Sequence, residues 1–342
     1  MIVFHDPAHR RHDPVQQHLF GGQLLPPAEV AARADLILEG LTDAGGFHIR
    51  QPAPIEREVL SAVHTSRYLE FLKTAHARWR IQTGGGPADE AIPYIRPLPS
   101  TPWKEPQSVL AQMGRFSNDV DPILMGTWEA ALAAASCAVA AADVVAMGER
   151  VAYALSRPPG HHAGPETYGG YCFLNNAALA AARLALPGNR GAILDIDTHH
   201  GNGTQTVFWH RPDVLTVSIH GHPDENYPFF LGYADETGGK DAEGSNANLP
   251  LPTGSGWGVY EEALRQALEL VEAHRAAWLV VALGVDTHVA HRVLALQGED
   301  YSRIGQQVAK LELPTVFVQE GGYEPEPLAQ AVPAVLMGFM NA

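Results

Sequence analysis

Two aspartates and a histidine at alternate positions open the chemistry of this sequence. The stretch LDIDTHHGNGT (194–204) carries Asp195, Asp197 and His199. Side chains two apart on an extended chain point the same way. An Asp-x-His pair joined by a carboxylate from elsewhere supplies three ligands and leaves a fourth position open. That is the pattern of a catalytic zinc rather than a closed structural site. Asp286 in GVDT is the third ligand, from a different strand end. Two carboxylates and a neutral imidazole cancel the charge of Zn²⁺ and preserve a Lewis acid. A single aspartate of this kind is more often a helix or turn cap. The histidine pairing and four further polar clusters set this one apart.

A second stretch, RPPGHHAG (157–164), sets His161 beside His162. Its glycines and prolines make it a loop, where adjacent side chains do not fill one core pocket. Water activated at a metal needs a base, and a departing amine needs a proton. His162 is assigned both tasks, and His161 shapes the field beside it. Each needs an orienting partner on its far nitrogen; Asp195, which the metal does not need, is the partner for His161. Tyr323 in EGGYEP offers a phenol to a developing oxyanion.

These residues need a frame that brings distant loops together. Short apolar runs at 151–155, 191–197, 214–220, 278–285 and 314–319 read as strands. Helical stretches follow at about 172–186, 257–274, 299–311 and 326–340. The alternation predicts an α/β fold with a mostly parallel sheet and helices on both faces. Ligand sites in such sheets lie beyond the carboxyl ends of the strands. The clusters RPPGHHAG, DTHHGNGT, HGHPDENY, DTHVAH and EGGYEPEP all follow strands. The N-terminal third begins with a strand, MIVF, and a helix after Pro26-Pro27. Residues 81–122 differ: three consecutive glycines and seven prolines with little periodicity. A loop this long is a functional or contact segment, or else a surface insertion without a role.

The chain has 342 residues, 46% hydrophobic, enough for one large core or for two smaller ones. Two cysteines, Cys137 and Cys172, suggest no disulfide framework. The opening MIVFHDPAHRRHDP has an apolar run of only four residues, so no signal peptide is expected. The Ala-rich stretch 128–148 carries Glu129 and Asp143 and reads as a packed helix, not a membrane span. The expected setting is the cytoplasm. A net charge of −15 argues against nonspecific nucleic-acid binding. It serves solubility and also attracts a cationic substrate.

Taken together, RPPGHHAG, GGYCFLNNAALAA, LDIDTHHGNGT, GVDT and EGGY resemble the zinc-dependent deacetylase superfamily, with its arginase–deacetylase fold. GGQLLPPAEVAARADLIL, GTWEAAL (126–132) and FLGYADETG (230–238) resemble its acetylpolyamine amidohydrolase branch. The resemblance covers nearly the whole chain and implies one deacetylase domain over 1–342, with an insertion at about 81–122. It implies one catalytic Zn²⁺ on Asp197, His199 and Asp286, with His161, His162 and Tyr323 catalytic. It implies a structural K⁺ held by Asp195, Ser218 and the backbone of Asp197, His199 and Ile219. Tyr171 and Tyr227 match walls of the substrate tunnel, and Arg33 an arginine of an internal channel. In this branch the insertion helps form a homodimer that narrows the cleft. The acidic NDVD lies where the branch holds a carboxylate for the substrate ammonium. Asp121 is the better match and Asp119 the second.

Some positions depart from the family. His162's partner, an aspartate in class I histone deacetylases, is Asn202 here, and an amide makes His162 less basic. Where relatives run into Asp-Pro after GVDT, this chain reads HVAHRVLALQGEDY. His288 thus either lines the tunnel or faces solvent, and His291 is unassigned. Leu110 stands where the branch has a second acidic residue. The leading expectation is hydrolysis of an N-acetyl amide on a small cationic amine such as an acetylated polyamine, without nucleic-acid or membrane partners. The competing functions are a protein acetyl-lysine deacetylase, an arginase-like ureohydrolase, for which a second metal set is missing, and a non-enzymatic binding module.

Overall fold

The computed structural model describes residues 1–18, 24–98 and 102–342. Along the chain run β1 (Ile2–Phe4), β2 (Gln17–His18), β3 (Leu24–Leu25), α1 (Ala32–Ala44), β4 (His48–Arg50), α2 (Arg57–Leu60), α3 (Ser66–Thr83), α4 (Val109–Phe116) and α5 (Thr127–Ala146). Then come β5 (Val151–Ala154), α6 (Asn176–Leu184), β6 (Gly191–Asp195), α7 (Asn202–Phe208), β7 (Val214–Gly221), β8 (Asn246–Leu251) and α8 (Trp257–His274). The chain closes with β9 (Leu279–Leu283), α9 (Glu299–Ala309), β10 (Thr315–Gln319) and α10 (Pro325–Met340). Eight strands form one sheet in the order β4-β1-β5-β10-β9-β6-β7-β8, and β2 and β3 pair separately. Every pairing in the large sheet is parallel.

The central strands are apolar along their whole length because both faces are covered. Alternate residues feed two cores. Ala152, Ile193, Val280, Val316 and Val318 pack on one face with α3, α4, α5 and α6. Tyr153, Leu194, Val281 and Phe317 pack on the other with α1, α8, α9 and α10. The helix α5 is long and apolar enough to cross a membrane, yet two-thirds of that stretch is buried against the sheet and α6. Its small alanines let it lie close to the strands.

Several boundaries differ from the sequence expectation for identifiable reasons. The helix expected after Pro26-Pro27 begins only at Ala32, because Glu29 turns inward to meet Arg33 and Arg157. The helix expected from 172 begins at Asn176, where Asn175 caps it by accepting the Ala178 N–H at 2.9 Å. The expected strand 191–197 stops at Asp195, which leaves Asp197 and His199 on a loop. The 81–122 segment is not a featureless loop. It begins inside the last turn of α3 and contains α4. Residues 99–101 of that segment, and Gly21, Gly22 and Gln23 of the N-terminal motif, lie outside the described residues.

Candidate active site

Asp197 and His199 face one side, but not through strand alternation. Past the end of β6 the chain folds back on its own carboxylates. Asp195 Oδ1 accepts the Asp197 N–H at 3.0 Å, and Asp197 Oδ1 accepts the His199 N–H at 2.9 Å. These local side-chain-to-backbone bonds replace the ladder that the loop has left. Asp286, two residues beyond the buried Gly284, reaches across from the end of β9 and accepts the Thr198 N–H at 3.0 Å through Oδ1. Gly321, beyond β10, donates its N–H to Asp197 Oδ2 at 2.8 Å. A Cβ on Gly321 would stand 2.4 Å from Asp286 Oδ2 and 2.5 Å from Asp197 Oδ2, so only glycine admits this approach.

The three side chains converge. His199 Nδ1 lies 3.2 Å from Asp197 Oδ1 and 3.1 Å from Asp286 Oδ2. Candidate ligand atoms of all three lie within 4.8 Å of one another. Asp286 Oδ2 is buried without a hydrogen bond of good geometry. Burial opposes a charged His199, but the two carboxylates outweigh it and push its pKa up to about 10. The two carboxylates thus favour positive charge at this point. An orphaned oxygen, a second carboxylate and an imidazole form a donor set that fits a divalent metal.

The tandem histidines stand beside this cluster with rings 4.0 Å apart. His161 Nδ1 pairs with Asp195 Oδ2 at 2.9 Å. Burial opposes its charge, but Asp195 and Asp197 raise its pKa well above the ordinary value. His162 Nδ1 meets Asn202 Oδ1 at 2.7 Å. An amide oxygen only accepts, so Nδ1 carries the proton and Nε2 is left as the acceptor. Burial, then the neighbouring charges of His161 and His199, hold the His162 pKa well below its usual value. The two imidazoles are thus driven apart in basicity by their partners. Tyr323 lies under the Arg33 guanidinium, 4.7 Å from its ring centre. Burial raises the phenol pKa well above 10 despite that cation, so the hydroxyl stays a donor.

Above the cluster opens a cavity of about 550 Å³ lined by His162, His199, Tyr171, Tyr227, Tyr323, Asp119 and Asp121, among others. The Tyr227 ring stands edge-on to His162 at 4.9 Å, and Tyr171 edge-on to Tyr323 at 5.6 Å. The two aspartates are held differently in this wall. Asp121 is only 6% exposed, and its Oδ2 accepts the Tyr171 N–H at 2.9 Å. Burial, and then Asp119, raise its pKa well above the carboxylate range. Asp119 is half-buried on the cavity wall. Asp121 is thereby engaged in holding Tyr171, whose φ of 66° is unusual for a non-glycine residue.

The remaining expected residues also find places. Ser218 sits opposite Asp195 in the β6–β7 ladder, and its Oγ lies 2.8 Å from His220 Nδ1. Asp195 and Ser218 line a void of about 10 Å³, room for about one water-sized species. Ile219 follows in the buried β7 strand. Leu110 lies on α4. Of the two unassigned histidines, neither is on the cavity wall. His288 caps a short 3₁₀ turn by accepting the Ala290 N–H and stacks on Tyr301. His291 Nε2 accepts the Tyr323 N–H at 3.5 Å.

Two buried carboxylates escaped the sequence reading. Glu29 binds Arg33 at 2.8 Å and Arg157 at 2.9 Å, all nearly fully buried. Arg33 spends its other donors on the Gly322 and Glu320 carbonyls at 2.6 and 2.7 Å, which fixes the loop that carries Tyr323. Glu320 lies beneath the tandem histidines. Both were visible only as a charge next to a motif; nothing in the spacing said that they were buried.

The family model described as the histone deacetylase domain matches residues 27–339. Acetylpolyamine amidohydrolase 1 of Pseudomonas aeruginosa is 41% identical over 347 residues, covering 100% of this chain and 99% of that protein. The acetylpolyamine amidohydrolase of Mycoplana ramosa is 42% identical over 324 residues, covering 94% of each. The crystal structure of an acetylpolyamine aminohydrolase from Burkholderia pseudomallei, from an iodide soak, superposes with a TM-score of 0.92 at 38% identity, covering 99% of this chain and 98% of that one. The parallel sheet, the sites at its carboxyl edge and these likenesses agree, and the chain belongs to the histone deacetylase family of hydrolytic deacetylases, with the arginase–deacetylase fold.

Proposed function

We propose that the protein hydrolyses the N-acetyl amide of acetylated polyamines or related small cationic acetylamines, releasing acetate and free amine. The observation that carries this is the tyrosine-walled cavity with Asp119 and Asp121 at its side and the Asp197–His199–Asp286 cluster at its base. The relatives named acetylpolyamine amidohydrolase support it.

In this scheme Asp197, His199 and Asp286 hold one divalent ion, taken to be Zn²⁺, which when bound supplies a Lewis acid for the scissile carbonyl. His162 receives the proton of the attacking water at Nε2, with Asn202 holding its other nitrogen, and returns it to the departing amine. His161, paired with Asp195, presents a fixed positive charge beside it. The Tyr323 hydroxyl donates to the carbonyl oxygen as negative charge develops there. Tyr171 and Tyr227 flank the acyl end of the substrate. Asp119 faces the distal ammonium, with Asp121 behind it. A structural K⁺ is assigned to Asp195, Ser218 and the backbone of Asp197, His199 and Ile219.

We assign the segment 81–122 to a homodimer contact that narrows the cleft within one deacetylase domain. The exposed Tyr94, Ile95, Leu98 and Trp103 on that segment support this. The deciding experiment compares kcat/KM for acetylputrescine, acetylcadaverine, acetylspermine and an acetyl-lysine peptide. The acetylated diamines and polyamines are expected to lead. Equal turnover of the peptide would reassign the protein to acetyl-lysine deacetylation.

A further inference from the structure

Glu320 is a buried carboxylate that the hydrolytic scheme leaves without a task. It follows β10 and is 0% exposed. Its Oε2 accepts two successive backbone N–H groups of the histidine loop, Gly160 at 2.6 Å and His161 at 3.1 Å. Its Oε1 is buried without a hydrogen-bond partner. An imidazole nitrogen of His161, the Cys172 sulfur and a Glu320 oxygen lie within 4.8 Å of one another.

A carboxylate half-satisfied in the protein interior is unfavourable to stability. Burial pushes the Glu320 pKa up to about 7; His161 and the two N–H groups oppose the rise, and Asp195 adds to it. The groups that face it are His161 and Cys172 on the loop after β5, Asp195 at the end of β6, and Arg33 of α1, bonded to its backbone carbonyl. The folded pKa lies above the ordinary 4.5. Between these two values the folded state holds more protons than the unfolded one. Stability therefore falls as pH rises through that window, and the full cost is present above about 7. A residue kept for packing alone would do better as glutamine.

We propose that Glu320 is a positioning residue for deacetylation, whose carboxylate pins the Gly160–His161 peptide and thereby sets where both imidazoles stand. This rests on the deacetylase function proposed above. Bonds to an ionised acceptor are roughly twice as strong as neutral ones. The partner contacts of His161 and His162 are 2.9 and 2.7 Å long. A displacement of about 1 Å at such a site costs about 10²-fold in rate.

The test compares Glu320→Gln and Glu320→Ala with the wild-type holoenzyme. Glutamine keeps an acceptor for the two N–H groups and places its NH₂ at the orphaned oxygen. At pH 8, Glu320→Gln is expected to melt no lower than wild type while kcat falls about 10-fold at unchanged KM; Glu320→Ala should lose about 10²-fold. In amide NMR spectra the Gly160 N–H should titrate near pH 7 in the wild type and not in Glu320→Gln. Wild-type kcat in Glu320→Gln would overturn the proposal. So would a parallel fall in Tm and kcat, a change confined to KM, or a Gly160 amide resonance that is the same in wild type and Glu320→Gln. Wild type inactive on every acetylamine would instead overturn the deacetylase function, and the Gly160 amide resonance in wild type and Glu320→Gln would still decide whether Glu320 clamps the loop.

Discussion

Asp286 and Tyr323 follow neighbouring strands and are separated in role by what each can give, an anionic oxygen or a proton. Asp286 leaves Oδ2 without a good hydrogen bond beside His199. Tyr323 keeps its proton, because burial outweighs the nearby Arg33. Substitution should separate them. Tyr323→Phe is expected to retain its metal and KM while kcat falls about 10²–10³-fold, as for a lost oxyanion donor. Asp286→Ala is expected to lose both metal and activity. Metal content by elemental analysis beside steady-state kinetics reads the difference. Asp286→Ala that still holds one ion per chain would remove it from the ligand set. At this scale the sequence was most informative. His161 with Asp195 and His162 with Asn202 meet in the structure as the motifs implied. Side chains with few chemical uses, placed at loops that follow strands, leave few arrangements open. Glu29 and Glu320 were missed because a carboxylate's burial depends on distant elements, as with Glu29 and the Arg157 guanidinium.

Elements far from the chemistry hold its loops. Glu166, on the loop that carries the tandem histidines, accepts from Arg67 and from Thr65 at the start of α3, and from Arg115 of α4 at 2.7 Å. The Arg67 hydrogen bond is the largest influence, and the Glu166 pKa is held down to about 2. This contribution is fully present above the ordinary value of 4.5 and is lost as pH falls towards about 2. Glu166 is partly exposed, so screening limits it to about 1 kcal/mol. Glu166→Gln should lower Tm by a few degrees at pH 7, and the difference from wild type should vanish as the pH approaches 2. A gap that stays constant across that range would show that the ion pairs contribute nothing. The long elements were legible: α8 spans the expected 257–274, and the apolar runs became β5, β6, β7, β9 and β10. The edge strands were not. β8 reads NANLPL, with two asparagines, which are poor strand formers, and a proline, which a sheet takes mainly at an edge. β4 is three exposed residues. Tertiary pairing with β7 and β1 makes both into strands, where local propensity does not.

For the whole molecule, a net charge of −15 draws cations towards the surface, but selectivity must come from charges inside the cavity. Asp119 and Asp121 both border it, and they are tied down differently. Asp121 grips the Tyr171 N–H from a buried position, so its loss loosens an aromatic wall that every substrate meets. Asp119 is half-buried; its Oδ1 accepts the Val120 N–H at 2.7 Å and its Oδ2 the Gly170 N–H at a long 3.4 Å, and an asparagine oxygen can take over the shorter bond. Its charge is therefore the part that a substrate ammonium would sense. A hydrogen bond to a charged group contributes about 1.5–3 kcal/mol, or about 10–10²-fold in kcat/KM. Asp119→Asn should lower kcat/KM for acetylputrescine by that factor and leave a neutral acetamide of equal length nearly unchanged. Asp121→Asn should weaken both substrates together. The proposed dimer contact would desolvate the Asp119 pair, so under that proposal the selectivity lost in Asp119→Asn should be smaller at protein concentrations where the enzyme is monomeric. If neutralising Asp119 changed both substrates equally while Asp121→Asn discriminated between them, the ammonium site would belong to Asp121.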